Sequence, residues 1–477
     1  MMFSSIRLSS SRLSSSLLSS SLAASHNVVP RHPASGEPRD SPRTARVAHR
    51  SHGPGLLTAA VLTASIVLSG CSTSSDQSQP AQSPSQSGST GASGSQDVHF
   101  TVGYAGDVLM HMPVMESTPG ASGDITDNIA AETPWVEGLD LALCGMEVPV
   151  APDGVYSGYP AFGTSSEVIG ALARSGWDGC ATASNHAADR GEAGVVATLD
   201  ALDAHGLGHA GTYRSTEDAS VPFALYELER GGRTVTVAQI STTKDLNGLD
   251  DPTGHSVSLN DVGAITKAAK TARAAGADLV VVHSQIGQEY ETKPNDEQVS
   301  YAQSLADSGQ VDILFGAHPH VPQPAEKLSG EGDGKGMWVS YSAGNYISNQ
   351  DEECCAPLSD VGQLVWADVT SHANGSVSVD KLSWHPFTMD QEGGYKVRDL
   401  AALHNGDRPA GLGLNEEEID RRWSMFTADV KDASTMSTTA PKPTGPAPRI
   451  PSREEVIKRA GTRVDPPATA SASSSPR

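Results

Sequence analysis

The sequence predicts an α/β fold with helices packed on a largely parallel sheet, and three observations predict it. Short β-branched runs alternate with amphipathic segments from about residue 97 to 390. Glycine follows several of the amphipathic segments, as a helix C-cap requires. Polar, chemistry-bearing residues gather just beyond the apolar runs, where open α/β sheets place their sites.

The elements follow in order. Val98–Tyr104, Leu139–Cys144, Asp178–Thr182, Ala277–His283 and Val311–Phe315 read as buried strands, each a short apolar run. Ser165–Ser175, Glu192–His205, Asp261–Ala275 and Asp296–Ser308 read as helices, with Gly176, Gly206, Gly276 and Gly309 just past their ends. Two hairpins are signalled: Phe223–Glu229 and Thr234–Ile240 flank Gly231-Gly232, and Leu364–Val369 and Val377–Leu382 flank Asn374-Gly375. Residues 97–390 thus form one α/β domain. Residues 391–433 read as an accessory segment whose one clear helix is Asn415–Phe426, and residues 434–477, rich in Pro, Ser, Thr and Ala, as a disordered tail.

A chain of 477 residues would ordinarily hold about three domains. Hydrophobic residues are only 37% of it and aromatics 5%, which concentrates core-forming material in the middle. The net charge is −23. Such an acidic balance excludes a nucleic-acid partner, whose binding domain is normally basic, and a basic membrane-surface patch.

The charge is unevenly placed. Seven of the 33 basic and two of the 56 acidic residues lie in 1–71, leaving 26 and 54 beyond it, a net −28. Arg43, Arg46 and Arg50 precede an apolar run from Leu56 to Leu68. That run is shorter than the ~20 residues a membrane span needs and reads as a signal-peptide core. It ends in Leu68-Ser69-Gly70-Cys71, which resembles a bacterial lipobox; the resemblance implies cleavage before Cys71 and lipidation of its sulfur. Residues 1–71 are therefore a basic leader and lipoprotein signal peptide, and the unusual length of the leader points to a true start near Val47. Residues 72–96 contain no Val, Ile, Leu or aromatic residue and read as a disordered tether, spanning roughly 25–30 Å as a flexible coil. The expected location is extracytoplasmic and membrane-anchored. There disulfides are permitted, and Cys144, Cys180, Cys354 and Cys355 allow three pairings, with the adjacent pair awkward to bridge to itself.

The first strand runs into Gly106-Asp107, the second into Glu147, and the third into Asn185-His186 with Asp189 beyond. The fourth delivers His283 and then Glu289, and the fifth Gly316 and His318-Pro319-His320. Singly each has an ordinary explanation as a cap, a turn or a buried histidine. Arriving in order, each after its own strand, these carboxylates, amide and imidazoles suit one or two divalent transition-metal ions. A bridging carboxylate could hold two such ions ~3.5–4 Å apart.

The blocks resemble those of the CapA family of poly-γ-glutamate capsule biosynthesis proteins, of the calcineurin-like metallophosphatase superfamily. The residues that carry the resemblance are Gly106-Asp107-Val108, Met146-Glu147-Val148-Pro149, Ala183 to Gly191 with its Asn185-His186 and Asp189, Gly316-Ala317-His318-Pro319-His320-Val321, and Tyr341-Ser342-Ala343-Gly344-Asn345-Tyr346. The resemblance spans about residues 98–350. It implies a metallophosphatase-like layered α/β/β/α sandwich. It also implies that Asp107 and His320 hold one ion, that Asn185 and His318 hold a second, and that Glu147 bridges them. Mn, Fe and Zn are equally compatible. His186 would donate a proton to the leaving oxygen, Asp189 would orient His186, and Asn345 would shape the site, with Glu289 nearby. One block departs from the pattern: Gln285 stands where the family has a ligand histidine, and His283 lies two residues earlier on the same strand face. Gln285 or His283 is therefore the doubtful ligand, and weak or absent binding of a second ion is expected, since a glutamine amide is the poorer donor. Gly145 and Ser184 also replace asparagines of the pattern.

The function this implies is a lipid-anchored protein in synthesis or processing of a capsule, poly-γ-glutamate or other envelope polymer, acting as a metal-dependent hydrolase or transferase of phosphoester type. The alternative is a non-catalytic polymer-binding or assembly protein on the same scaffold. The expected partners are an anionic envelope polymer or its precursor and, through Cys71, the membrane.

Overall fold

A computed structural model describes residues 96–331, 334–430 and 434–462. The leader, Cys71 and nearly all of the tether lie outside the described residues. Fifteen strands form two sheets in the described residues.

The chain enters through β1 (Val98–Val108), then β2 (Leu141–Met146), β3 (Gly179–Ala181) and β4 (Gly208–Ala210). These four pair in sequence order and in parallel. Helices Ser166–Arg174 and Gly191–Ala204 supply the last two crossovers. Ser165 caps the former by accepting from the Glu167 N–H, which satisfies one of the donors left open at a helix start. The chain then builds a second sheet from β5 (Ala224–Arg230), β6 (Arg233–Thr243), β7 (Leu279–Gln285), β8 (Ile313–Ala317), β9 (Ala325–Leu328) and β10 (Met337–Ser340), in the order 5-6-7-8-10-9. Strands 6, 7, 8 and 10 are parallel, with helices Val262–Ala274 and Asp296–Asp307 as crossovers. Finally β11 (Asn345–Ile347), β12 (Val361–Ser371), β13 (Val377–Asp390) and β14 (Lys396–Asp399) return to the first sheet.

Three apolar layers fix the stacking. Val168, Leu172, Val195 and Leu199 of the first two helices pack on the outer face of the first sheet. Phe100, Val102, Leu143, Val237, Val281 and Phe315 fill the space between the sheets. Ile265, Ala269, Ala302 and Leu305 cover the outer face of the second sheet. Alternation along β1 explains the first two layers, because side chains two apart share a face. The result is the α/β/β/α sandwich that the resemblance implies.

Two expectations are corrected, and a pairing left open by the sequence is decided. The segment 391–433 is no appendage: β14 pairs with β13 inside the first sheet, and Leu400–His404 forms a second helix whose Leu400 and Leu403 are buried. The tail 434–477 is structured as far as residue 462. Thr435–Met436 makes β15 beside β13, and Arg453–Thr462 is a helix. Its few apolar residues are spaced to be useful, since Val456 and Ala460 lie four apart on one helix face and both are buried against the second sheet's outer layer. Arg453 adds hydrogen bonds to the carbonyl of Phe223 at 2.6 Å and to Asp218. Bulk composition hid that spacing. Lastly, Cys144 bonds Cys180, its neighbour in register across β2 and β3, and the adjacent Cys354 and Cys355 bond each other.

No helix among the described residues is long and apolar enough to cross a membrane.

Candidate metal centre

The parallel strands of both sheets end at one edge, and the candidate residues lie there. Asp107 is near the end of β1, in register with Gly145 on β2 and Asn345 on β11. This junction requires glycine at 106, where φ is +86° and a Cβ would stand 2.0 Å from the Gly344 carbonyl oxygen. Glu147 follows β2 directly, Gln285 closes β7, and His318 and His320 follow β8. Both histidines have left-handed backbone, φ +95° and +58°. Such strain persists where surrounding structure enforces it, commonly at functional sites.

Asp107, Glu147 and His320 present ligand atoms that all lie within 4.8 Å of one another. All three are buried. His320 Nδ1 lies 3.7 Å from Asp107 Oδ2, and His320 Nε2 lies 3.7 Å from Glu147 Oε1. The tautomer of His320 follows from Asn345. The Asn345 amide nitrogen faces three acceptors, at Gln350 Oε1 (2.9 Å), Ser359 O (3.0 Å) and His320 O (3.4 Å), so its Oδ1 must face the ring. Oδ1 accepts from His320 Nδ1 at 2.9 Å, which leaves a lone pair on Nε2 toward Glu147.

Burial dominates the electrostatics. It pushes the Asp107 carboxyl up to about 7. Burial, together with the neighbouring Asp107 charge, holds Glu147 well above the usual carboxylate range. It also drives His320 down to about 3, leaving a neutral imidazole.

The donor set fits a divalent cation. Both carboxylate oxygens of Glu147, Asn185 Oδ1 and His318 Nδ1 are buried without a hydrogen-bond partner in the protein. Buried polar atoms are ordinarily paired, so four orphans at one place indicate a ligand that accepts their lone pairs. Such an ion would also neutralise the carboxylates that burial disfavours.

The remaining predicted residues divide. His186 Nδ1 donates to Asp189 Oδ2 at 2.7 Å, and the same oxygen accepts from the Phe162 N–H at 2.7 Å. The Phe162 ring meets His186 edge-on at 4.7 Å. His318 donates its backbone N–H to Asp107 Oδ2 at 3.3 Å, and Asn185 is joined to Asp107 through Gln285, but the tight group is Asp107, Glu147 and His320 alone. Gln285 is not a free ligand: its amide nitrogen donates to Asp107 Oδ1 at 2.9 Å, and its oxygen accepts from the Asn185 N–H at 3.1 Å. His283 lies behind the cluster, against Tyr104 at 4.7 Å and Phe315 at 5.6 Å. Burial drives it down to about 3, against the opposing pull of the Ile240 backbone. Tyr104, Asp107, Glu147, His283 and Gln285 together line a cavity of about 10 Å³, room for roughly one water. Burial lowers His318 below the usual imidazole range, against the opposing charge of the half-buried Glu289.

Two residues escaped the sequence reading. Asn247 Nδ2 lies 3.4 Å from His186 Nε2, and its Oδ1 accepts from Asn185 Nδ2 at 3.4 Å. Its Asn-Gly dipeptide signals a turn, yet nothing in the sequence brings that turn to the site. Gln350 steadies Asn345 as described and lies four residues past the last block, Tyr341 to Tyr346, without any motif of its own.

The fold and site define a layered α/β protein with a buried carboxylate–imidazole centre at the strand ends. Residues 101–350, just over half of the chain, match the family described as bacterial capsule synthesis protein PGA_cap, and the chain belongs to that family. It is similar to the PGA biosynthesis protein CapA of Bacillus subtilis (strain 168), 33% identical over 180 residues, which are 35% of this chain and 42% of that protein. It is also similar to the capsule biosynthesis protein CapA of Bacillus anthracis, 28% identical over 266 residues, 53% of this chain and 60% of that one. The matched region thus spans about half the length of these relatives. Among solved structures it is similar to the NAD nucleotidase NadN of Haemophilus influenzae, with a TM-score of 0.41 and 11% identity over 77% of this chain and 67% of that one. The calcineurin-like phosphoesterase YfkN of Bacillus subtilis gives 0.38 and 15% over 70% and 97%. Both likenesses are too distant to bear on chemistry.

Proposed function

We propose that this chain is a lipid-anchored, extracytoplasmic capsule synthesis protein that hydrolyses or transfers a phosphoester-type bond in an envelope polymer or its precursor, using a divalent ion. One observation carries the reading: Asp107, Glu147 and His320 converge within 4.8 Å, buried, with both Glu147 oxygens unpartnered. The capsule synthesis family supplies the polymer context, and the Leu68-Ser69-Gly70-Cys71 sequence supports the anchor.

A bound divalent ion would supply Lewis acidity and a hydroxide-like nucleophile at neutral pH. Asp107, Glu147 and His320 would hold it, with Asn345 fixing the His320 tautomer. His186 carries the proton-transfer role. Asp189 accepts from Nδ1 and so fixes which nitrogen faces outward; in the imidazolium form Nε2 passes its proton to the leaving oxygen, and the ring is left neutral with Nδ1–H still on Asp189. Phe162 shields one side of that imidazole from water.

A second reading has its own support. Gln285 occupies Asp107 Oδ1, which draws that oxygen away from a second ion. A scaffold holding a single ion suits polymer binding without turnover. Assaying the full chain with Mn²⁺ or Zn²⁺ on a phosphodiester separates the two: hydrolysis lost in Asp107→Ala and His318→Ala supports the enzyme, and metal binding with no turnover supports the binding protein.

A further inference from the structure

Among the described residues, six large apolar side chains are exposed, and four of them lie in two loops that touch His186. Val155, Tyr156 and Tyr159 belong to the loop 150–163, and Leu249 to the loop 244–256. Both loops are tied to the centre. Phe162 packs on the His186 ring, and Asn247 approaches its Nε2. The first loop is also held firm at its base, where Ser157 and Gly163 exchange backbone hydrogen bonds. Arg190 adds bonds to the carbonyls of Phe162 (3.1 Å) and Val155 (2.9 Å). Tyr159 is nonetheless 80% exposed, three residues from the Phe162 that meets His186. Exposed apolar groups scattered singly need no explanation, but their concentration at the rim of one site does.

The charge of the rim selects among ligands. The two loops carry Asp153, Asp245, Asp250 and Asp251, with Lys244 as their only lysine or arginine, and Lys244 pairs with Glu297 at 2.5 Å. Glu289 adds a further carboxylate, next in sequence to Tyr290, whose ring lies 6.2 Å from that of His320. Even with the Arg190 guanidinium bonded into the first loop, these five carboxylates leave the rim net acidic, and such a rim repels a chain of carboxylates and an anionic lipid surface alike. It suits a neutral, hydroxyl-rich ligand: carboxylates accept from hydroxyls, and tyrosine rings offer flat apolar faces with a polar edge.

We propose that this rim binds neutral sugar rings flanking the reacting bond, so that the substrate is a saccharide polymer or precursor whose negative charge is confined to its phosphoester. The proposal deepens the polymer-processing reading. The experiment reads binding in chelator, so its failure leaves the metal and hydrolysis measurements standing, and theirs leaves it standing. The full chain in EDTA is titrated by calorimetry with oligosaccharides of glucose and of N-acetylglucosamine. A γ-linked glutamate oligomer of matched length and anionic phospholipid vesicles are the competitors for the same surface. The expected result is saccharide binding that weakens at least ten-fold in Tyr159→Ala, survives in Tyr159→Phe, and exceeds binding of the glutamate oligomer and the vesicles. The proposal is overturned if neither saccharide binds, if Tyr159→Ala leaves binding unchanged, or if the glutamate oligomer or the vesicles bind more tightly.

Discussion

Gln285 donates its side-chain amide to Asp107 Oδ1 at 2.9 Å, and so occupies an oxygen that would otherwise be open to a second ion. The amide is held from its other end by the Asn185 N–H. A side chain committed at both ends is a spacer between two candidate ligands. Gln285→His would exchange that spacer for an imidazole with a ligating nitrogen on the same strand face. Elemental analysis of the reconstituted full chain should show about one ion in the parent and a rise toward two in the variant. An unchanged count would mean that Gln285 does not limit the second position.

Asn345 fixes His320 and is itself fixed by three acceptors. Groups that orient a ligand histidine typically contribute 10–100-fold to metal affinity. Asn345→Ala should therefore weaken divalent-metal binding by about that factor while the far-ultraviolet circular dichroism is retained. Calorimetric titration checks it, and an affinity within two-fold of the parent would remove Asn345 from the centre.

Asp178 lies at the entry to β3 and accepts from the Ala142 N–H at 2.8 Å. Burial, against the opposing pull of that hydrogen bond, raises its carboxyl to about 7 from an ordinary 3.8. A raised folded-state value favours the protonated form. Its stabilising contribution is therefore complete below about pH 4 and is lost as pH climbs through about 7. With partial exposure allowed for, the swing is on the order of 1–3 kcal/mol. Asp178→Asn keeps the acceptor and removes the titration. Urea unfolding at pH 5 and pH 8 should show the parent losing more stability than the variant between the two. Equal losses would show that Asp178 titrates normally.

The helix Arg453–Thr462 buries Val456 against the second sheet's outer layer. Val456→Asp places an unpaired carboxylate there, and about 2–4 kcal/mol of stability should be lost. Chemical denaturation measures this directly. A change under 0.5 kcal/mol would show that residues 434–462 are dispensable to the domain.

Much of this was legible in the sequence, and the reasons for the rest are physical. The β1, β2, β7 and β8 strands are short apolar runs whose ends carry Asp107, Glu147, Gln285 and His318, so local pattern and chemistry coincide. The tail was misread because its Ser, Pro and Thr content outweighs two apolar residues, Val456 and Ala460, whose significance lies in their spacing. The Cys144–Cys180 bond depends on the register of β2 and β3, a long-range quantity that four cysteine positions do not contain. Asn247 depends on tertiary placement of a turn 61 residues from His186 in sequence. The role of Gln285 was half-visible: its residue type disfavoured ligation, but the two hydrogen bonds that commit it appear only once β1, β3 and β7 are brought together.

The most direct test of the central claim is the divalent-metal content and affinity of the full chain beside Glu147→Gln. That substitution keeps the shape and removes the charge of the cluster carboxylate whose two buried oxygens have no hydrogen-bond partner in the protein. The parent should hold at least one Mn²⁺ or Zn²⁺ per chain, and the variant should lose it or bind at least ten-fold more weakly. A parent free of stoichiometric metal after reconstitution, or a variant that binds equally well, would contradict the assignment of Asp107, Glu147 and His320 as a metal centre.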